Sequence, residues 1–266
     1  MNLRLATPPS VRVDRLEDGR VLRLVLDAPK GNILTMRMMG ELREALAMHR
    51  DDRSLKMVLL RGAGGTFSYG ASVPEHRRDR ASGMLAMFCD LVRDVATHPA
   101  PVAALIEGRC MGGAFELALA CHFLFATRSA VMGCPEVRLG VIPPVLAVLG
   151  PRRMGGALSE RLLVTGADLD AETAERAGLM TCIVAGGIDP EAAALDWYRR
   201  TLAPLSAFTL REATGAAREA SGLLAALGGP LEAAEHRYLE RMLPSHDGNE
   251  GIDAFIENRA PRWMDA

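Results

Sequence analysis

The pattern of apolar and polar residues changes along the chain at about residue 167. Before Ala126, short runs of β-branched residues and leucine alternate with longer stretches in which apolar residues recur every three or four positions. The short runs predict strands, and the longer period predicts amphipathic helices. This alternation predicts βαβ units and a largely parallel sheet. The predicted strands are Val11–Arg15, Val21–Leu26, Met57–Arg61, Val102–Glu107 and His122–Ala126, and the predicted helices are Met36–His49 and Ser82–Thr97.

After about Asp168 the pattern becomes almost purely helical. Several of these helices begin at a proline, whose missing N–H costs nothing in the first turn. We therefore expect an α/β core over residues 1–167 and a helical region over residues 168–266. Because few predicted strands remain to cover their apolar faces, we expect these helices to contact another subunit. They are Ala171–Ala177, Pro190–Leu202, Pro204–Ser221, Pro230–Met242 and Asp247–Asn258.

Composition removes several classes of protein. The chain has 266 residues, of which 49% are hydrophobic and 24% charged, which is typical of a globular protein. Its net charge of −2 argues against a nucleic-acid-binding protein. No apolar run approaches the ~18 residues that span a bilayer, so no membrane segment is expected. No CxxC or HExxH motif occurs, so no metal site is expected.

Cysteine usage and the first residues indicate the compartment. The five cysteines are odd in number and irregularly spaced, which is unlike a disulfide framework. Residues 1–10 lack the basic stretch followed by an apolar run that marks a secretory signal. We therefore expect a reduced, cytoplasmic protein.

Two glycine-rich segments stand where a parallel sheet binds ligands. Thr66–Ser72 follows the predicted strand Met57–Arg61, at its carboxyl end. Gly108–Glu116 follows Val102–Glu107 and opens a helix, Phe115–Cys121. Small residues let backbone N–H groups approach a ligand, and a helix N-terminus favours negative charge. The alternatives are an ordinary turn for the first segment and close helix–sheet packing for the second.

A third segment, Cys134–Pro143, contains a carboxylate among apolar neighbours. Glu136 lies 20 residues beyond Glu116. Either glutamate could be a solvated surface charge, which is the usual fate of this residue type. However, acid–base chemistry beside a carbonyl requires two carboxylates in an apolar pocket near N–H donors.

In order and spacing, the three segments resemble the crotonase (enoyl-CoA hydratase/isomerase) superfamily. The family patterns F-x-x-G-A-D, G-x-x-x-G-G-G-x-E and P-E-x-x-x-G-x-x-P correspond to Phe67–Ser72, Gly108–Glu116 and Pro135–Pro143. The resemblance covers nearly the whole chain. It implies a crotonase fold, which is an α/β fold with a repeated ββα core, and a homotrimer or a dimer of trimers.

The resemblance also implies roles for individual residues. The backbone N–H groups of Ala71 and Gly113 would form an oxyanion hole, and Glu116 and Glu136 would be the catalytic pair that holds one water. The substrate would be an acyl-CoA thioester, so CoA would be part of the substrate and no cofactor is expected. The implied CoA-binding residues are Lys30, Gly31, Ile33, Ser68, Tyr69 and Gly70.

The chain departs from the family pattern at several positions. Ser72 stands where most members have aspartate, and Pro144-Val145-Leu146 replaces a glycine-rich turn. We expect Val145 and Leu146 to form an apolar wall of the substrate pocket, although core positions are the commoner role of these residue types. Arg259 or Arg262 could reach a CoA phosphate in a neighbouring subunit.

Shorter segments indicate a subgroup of the family. Gly-Ala-Ser-Val followed by Glu-His-Arg-Arg-Asp, with later Ser-His-Asp and Glu-Gly segments, resembles the cyclohexa-1,5-diene-1-carbonyl-CoA hydratases. This resemblance implies hydration to 6-hydroxycyclohex-1-ene-1-carbonyl-CoA. The alternatives are a general enoyl-CoA hydratase or isomerase of fatty-acid or aromatic degradation and, in another class, a non-catalytic or RNA-binding crotonase-fold protein. The presence of both glutamates disfavours a non-catalytic protein. RNA binding is disfavoured because Lys30 and Lys56 are the only lysines.

Overall fold

A computed structural model describes residues 8–266. Residues 1–7, which belong to the segment searched for a secretory signal, lie outside the described residues. The strands form two sheets and are β1 Val11–Leu16, β2 Val21–Leu26, β3 Met57–Gly62, β4 Val102–Ile106, β5 Arg109–Met111, β6 Phe123–Thr127, β7 Val131–Gly133, β8 Asp168–Asp170 and β9 Cys182–Val184. The main sheet has six strands in the order β1-β2-β3-β4-β6-β9 and is parallel except for the antiparallel β1-β2 pair. The smaller sheet has the order β5-β7-β8.

Helices cover both faces of the main sheet and continue to the end of the chain. They are α1 Met36–His49, α2 Ala81–Ala96, α3 Gly113–Ala120, α4 Pro144–Met154, α5 Gly156–Thr165, α6 Ala171–Arg176, α7 Pro190–Thr201, α8 Ala207–Ala220, α9 Leu223–Ala226, α10 Gly229–His236 and α11 His246–Ile256. A short helical turn covers Pro29–Asn32, and 3₁₀ turns cover Val73–His76 and Pro135–Leu139. A π-helix, Arg237–Met242, directly follows α10.

The central strands are apolar along their whole length because both faces of the sheet are covered. Alternate residues of β3 and β4, such as Leu60 and Ala104, face the large core that contains α1 and α2. The intervening residues, such as Leu59 and Ala103, face a second core built with α7 and α8, which contributes Leu210. Part of the helical region therefore covers the chain's own sheet. The expectation that these helices lack a sheet to cover is wrong for α7 and α8.

Four strands are missing from the sequence prediction: β5, β7, β8 and β9. Each has three residues, which is too short to show the two-residue period of a half-buried strand. Two of them, β8 and β9, lie after Ala167, so the prediction of almost pure helix there is corrected. Strand β9 pairs with β6 at the edge of the main sheet. The division into residues 1–167 and 168–266 stays a prediction.

Hydrogen bonds hold the first glycine-rich loop against the second. Buried Asn32 accepts from Ala28 N–H, and its amide nitrogen donates to the carbonyl oxygens of Ala63, Thr66 and Phe67 at 3.0 to 3.2 Å. Ser68 then bridges to β5, since Met111 N–H donates to the Ser68 carbonyl oxygen. These contacts place both loops together beyond the carboxyl ends of β3 and β4. No helix within residues 8–266 is long and apolar enough to cross a membrane.

Candidate active site

Ala71 and Gly113 lie beside each other at this edge. Leu34 N–H donates to the Gly70 carbonyl oxygen and Ser72 N–H donates to the Leu34 carbonyl oxygen, a bridge that leaves the intervening Ala71 N–H unused. Gly113 is the first residue of α3, where an N–H has no acceptor within the helix. A Cβ added to Gly113 would lie 3.5 Å from the Ala71 Cβ. Ala71 and Gly113 are therefore close in space, and the oxyanion hole formed by their N–H groups stays a prediction.

Glu116, in the first turn of α3, is 3% exposed. Its Oε1 accepts from the backbone N–H groups of Val145 (2.7 Å) and Leu146 (2.9 Å). Burial raises the pKa of Glu116 to about 7, although the two backbone hydrogen bonds act in the opposite direction. This carboxyl group therefore titrates near neutral pH.

Glu136 comes from the 3₁₀ turn Pro135–Leu139. Its carboxylate lies against Gly112, where an added Cβ would be 2.5 Å from Oε1 and where φ is +53°. Glu136 Oε2 is buried and has no hydrogen-bond partner among the described residues. Burial, and then the charge of Glu116, raise the pKa of Glu136 well above its ordinary value. Burial therefore favours the neutral form of each carboxyl group, and the charge of Glu116 adds to this effect at Glu136.

Two cavities meet at Glu136. An inner cavity of about 20 Å³ has room for about one water molecule. An outer cleft of about 740 Å³ leads away from it. Ala71, His76 and Glu136 border both spaces. The inner cavity is otherwise lined by Met84, Leu85, Phe88, Gly113, Glu116, Ile142, Pro144 and Tyr238.

The structure separates the predicted CoA-binding residues into two groups. Lys30, Ile33, Tyr69 and Gly70 line the outer cleft. Ser68 is fully buried, and its hydroxyl accepts from Gly70 N–H at 3.0 Å, so it shapes the loop.

Like Ser68, Gly31 is a predicted CoA-binding residue that does not line the cleft. It lies under the ring of Tyr69. An added Cβ there would be 2.0 Å from Tyr69 Cδ2. Gly31 therefore shapes the cleft indirectly, because the absence of a Cβ leaves room for the Tyr69 ring.

The side chains of Val145 and Leu146, expected to form a wall of the substrate pocket, lie away from both cavities in this structure, and their role as that wall stays a prediction. Both are fully buried in the large core and border neither cavity. Their backbone N–H groups instead hold Glu116, and Ile142 and Pro144 provide the apolar wall.

The two C-terminal arginines contact Glu250. The Arg259 guanidinium donates to both carboxylate oxygens of Glu250 and also to Glu257. The backbone N–H of Arg262 donates to the same Glu250 carboxylate. Their expected contact with CoA in a neighbouring subunit stays a prediction.

Sequence reasoning missed Tyr238 as a site residue. Tyr238 is 2% exposed, and its hydroxyl lies buried without a hydrogen-bond partner among the described residues. Burial and the charges of Glu136 and Glu116 raise its pKa, so it stays a neutral O–H donor. Tyr238 belongs to the π-helix that follows α10, and it lies on the same buried face as Leu231 and Ala234, at spacings of three and four residues. This spacing predicts that Tyr238 is buried, but it does not distinguish a core residue from one that lines the pocket.

His76 is the second residue of the pocket without a predicted role. Its Nδ1 lies 2.9 Å from the Ser72 carbonyl oxygen, so Nδ1 carries the proton and donates. Burial lowers the pKa of His76. The ring is therefore neutral, and its centre lies 6.3 Å from that of Tyr238.

The fold and this site define a family. Residues 17–266 match the family model described as enoyl-CoA hydratase/isomerase, and the chain belongs to that family. Among solved structures, it resembles an enoyl-CoA hydratase/isomerase from Xanthobacter autotrophicus Py2, with a TM-score of 0.84, 27% identity, and coverage of 95% of this chain and 94% of the other. The predicted family and crotonase fold are confirmed, and so is the hydro-lyase class of enzyme at the level of the family.

Two curated relatives are similar along nearly their whole length. The cyclohexa-1,5-dienecarbonyl-CoA hydratase of Thauera aromatica is 41% identical over 258 residues, covering 97% of each chain. The carnitinyl-CoA dehydratase of Proteus mirabilis (strain HI4320) is 32% identical over 254 residues, covering 92% of this chain and 95% of the relative. Both names describe addition or removal of water on a CoA thioester.

Proposed function

We propose that this enzyme adds water to a conjugated acyl-CoA thioester. The observation that carries this proposal is the inner cavity, which has the volume of about one water, is bordered by Glu116 and Glu136, and adjoins Gly113 and Ala71. A carboxylate base, a carboxylic acid and a pair of free N–H donors are the groups that hydration beside a carbonyl needs. The test is turnover of enoyl-CoA thioesters by the purified enzyme.

The two carboxyl groups take different parts. Glu116 Oε1 is fixed by two N–H donors that favour its charged form, so Glu116 takes a proton from water as the water oxygen bonds to the carbon β to the thioester. Glu136 has no such donors on its buried Oε2 and carries the proton of the pair. Glu136 then gives this proton to carbon, and the proton gained by Glu116 restores the pair.

The electrons of the attacked double bond move towards the thioester oxygen. The resulting enolate oxygen accepts from Ala71 N–H and Gly113 N–H, and the N-terminus of α3 adds favourable partial charge. Donors of this kind are each worth roughly 2.7 to 4 kcal/mol in the transition state. When the proton returns to carbon, the enolate collapses to the thioester.

For the acyl group we propose a cyclohexa-1,5-diene ring, with 6-hydroxycyclohex-1-ene-1-carbonyl-CoA as product. Support comes from the Thauera aromatica relative and from the apolar lining by Leu85, Phe88 and Ile142. Seating a ring requires side chains such as Met84 to move, since the inner cavity is only about 20 Å³. The proton would return at the distal carbon of the dienolate, at the end of the pocket where Tyr238 lies.

The outer cleft is suited to the pantetheine and nucleotide of CoA. Lys30, Arg109 and Arg138 line it and supply positive charge near Tyr69. We also propose the trimer-based assembly and the reduced, cytoplasmic location expected from the sequence. Light scattering at micromolar concentration checks the assembly, and a monomeric mass would contradict it.

The substrate is tested by comparing kcat/KM for cyclohexa-1,5-diene-1-carbonyl-CoA, cyclohexenoyl-CoA and crotonyl-CoA. We expect the diene to exceed crotonyl-CoA by at least about tenfold, which corresponds to about 1.4 kcal/mol of transition-state binding. If crotonyl-CoA is the equal or better substrate, the ring assignment fails and a general enoyl-CoA hydratase remains.

A further inference from the structure

A third cavity lies at the opposite end of the parallel strands from the candidate active site. Pro101 precedes β4 and His122 precedes β6, and both residues line this space of about 320 Å³, which we call the basic cavity. Its volume is at the lower end of the range of about 300 to 1,000 Å³ found for small-molecule pockets. Helices α4, α8 and α9 supply the other walls.

Three N–H donors in the lining have no acceptor. The His122 Nδ1 accepts from Val102 N–H at 3.0 Å, so its proton is on Nε2, which is buried without a partner. The Nε atoms of Arg153 and Arg218 are also buried without partners among the described residues. Arg218 is only 5% exposed. Buried donors are normally paired, so three unpaired donors around one cavity point to a missing acceptor.

The charge around the basic cavity is also uncompensated. No aspartate or glutamate lines it, and within residues 8–266 Arg152, Arg153 and Arg218 make no ion pair within 4.0 Å. Burial, followed by the neighbouring charge of Arg153, lowers the pKa of Arg218 to about 10. Burial, followed by both of these arginines, lowers the pKa of His122 to about 2, which keeps the imidazole neutral. Buried charges are normally paired, so an anion fits here.

We propose that the basic cavity binds a small monocarboxylate with a compact apolar body. A carboxylate matches the planar N–H arrangement of a guanidinium, and the largely apolar lining suits a carboxylate with a hydrocarbon body better than a phosphate dianion. The remaining lining is largely apolar and would hold the hydrocarbon part. It includes Phe123, Leu202, Leu210 and Leu223.

The probe is benzoate, with benzamide as the neutral compound of the same shape. Thermal unfolding is followed with about 10 mM of each, in the presence of saturating butanoyl-CoA so that the candidate active site is occupied. We expect benzoate, but not benzamide, to raise Tm by about 2 to 4 °C. Calorimetric titration of the same samples gives the Kd.

Arg218→Met removes the charge and keeps an unbranched apolar side chain. We expect it to raise the Kd for benzoate at least about tenfold, with Arg153→Met as a second variant should the first fail to fold. Arg200→Met removes an exposed arginine that pairs with Asp196 and should leave the benzoate response unchanged.

Three results would overturn the proposal. The first is a wild-type Tm that benzoate leaves unchanged, and the second is an equal response to benzamide. The third is an Arg218→Met protein that binds benzoate as tightly as wild type. A change of assembled mass in Arg218→Met without any benzoate binding by wild type would show instead that a second copy of the chain supplies the acceptor.

Discussion

The two ends of α3 carry buried clusters of opposite charge. At its N-terminus, Glu116 and Glu136 face the inner cavity. At its C-terminus, the Ala120 carbonyl oxygen accepts from the Arg218 guanidinium at 2.7 Å, beside the basic cavity. The helix has eight residues and so spans roughly 12 Å. Its dipole favours a developing oxyanion at one end and a guanidinium at the other.

The clusters differ in how their charge is tolerated. The carboxyl groups can take up a proton, and the raised pKa values of Glu116 and Glu136 show that burial drives them to do so. A guanidinium keeps its proton at neutral pH even when burial lowers its pKa. The acidic cluster, Glu116 and Glu136, can therefore lower its net charge by binding a proton when no ligand is present. The basic cluster, Arg153 and Arg218, keeps its full positive charge, which an anion would neutralise.

The largest expected effect tests the acidic cluster. Glu136→Gln keeps the shape of the side chain but removes the proton carrier, so we expect kcat for hydration to fall about 10² to 10⁴-fold. Acyl-CoA binding, measured by calorimetry, should be nearly unchanged. Glu160→Gln, on exposed α5, is the matched control. Unchanged turnover of Glu136→Gln would remove this residue from the mechanism.

A smaller effect is expected from Gly112→Ala. The new Cβ would push against Glu136 Oε1, displacing the carboxylate, and we expect kcat to fall about 10 to 100-fold. Gly155→Ala is the control, since Gly155 also has positive φ but nothing within 4 Å of an added Cβ. If both variants lose stability alone and keep their kcat, the contact of Glu136 with Gly112 has no role in positioning.

Tyr238→Phe tests the acidic end of α3 further, because it removes the neutral hydroxyl donor that lines the inner cavity beside Glu116 and Glu136. We expect kcat for the diene to fall about tenfold, with a smaller change for crotonyl-CoA, because the proposed mechanism places the distal proton transfer at the Tyr238 end of the pocket. The pH profile of kcat should also move, since Tyr238 interacts with both carboxylates. Equal losses for both substrates with an unmoved profile would indicate a packing role only.

The smallest effect concerns stability. The folded pair binds protons at pH values where the unfolded chain has released them, so stability falls as pH rises from about 4.5 towards the Glu116 pKa of about 7. Glu136→Gln removes part of this dependence. We expect the free energy of unfolding of the variant, taken relative to that of wild type, to rise by on the order of 1 to 3 kcal/mol from about pH 5 to about pH 8. Chemical denaturation at both pH values measures this, and a constant difference would contradict it.

The regular elements were predictable because their patterns are long. Strand β2 and helix α1 have the predicted bounds, since each buries a repeated apolar face. The three-residue strands were not predictable, because their pairing depends on neighbours distant in the chain, as for β9 beside β6.

The site was only partly readable from the sequence. Motif spacing identified Glu116 and Glu136 as candidate catalytic residues, but their catalytic roles stay predictions. The hydrogen bonds from Val145 and Leu146 to Glu116 use backbone atoms, which the identity of a side chain does not report. Tyr238 follows Leu231 and Ala234 at helical spacing, so the pattern predicts its burial but does not show that its hydroxyl lies in the pocket.

Glu136 lies between the outer cleft and the inner cavity. A thioester lying in the cleft would cover this carboxyl group and restrict its exchange of hydrogen with bulk solvent. The hydrogen delivered to carbon would then be the one that Glu136 carried when the substrate bound. Enzyme mixed with substrate in H₂O and moved at once into D₂O should therefore form its first product with less deuterium on carbon than later turnovers do.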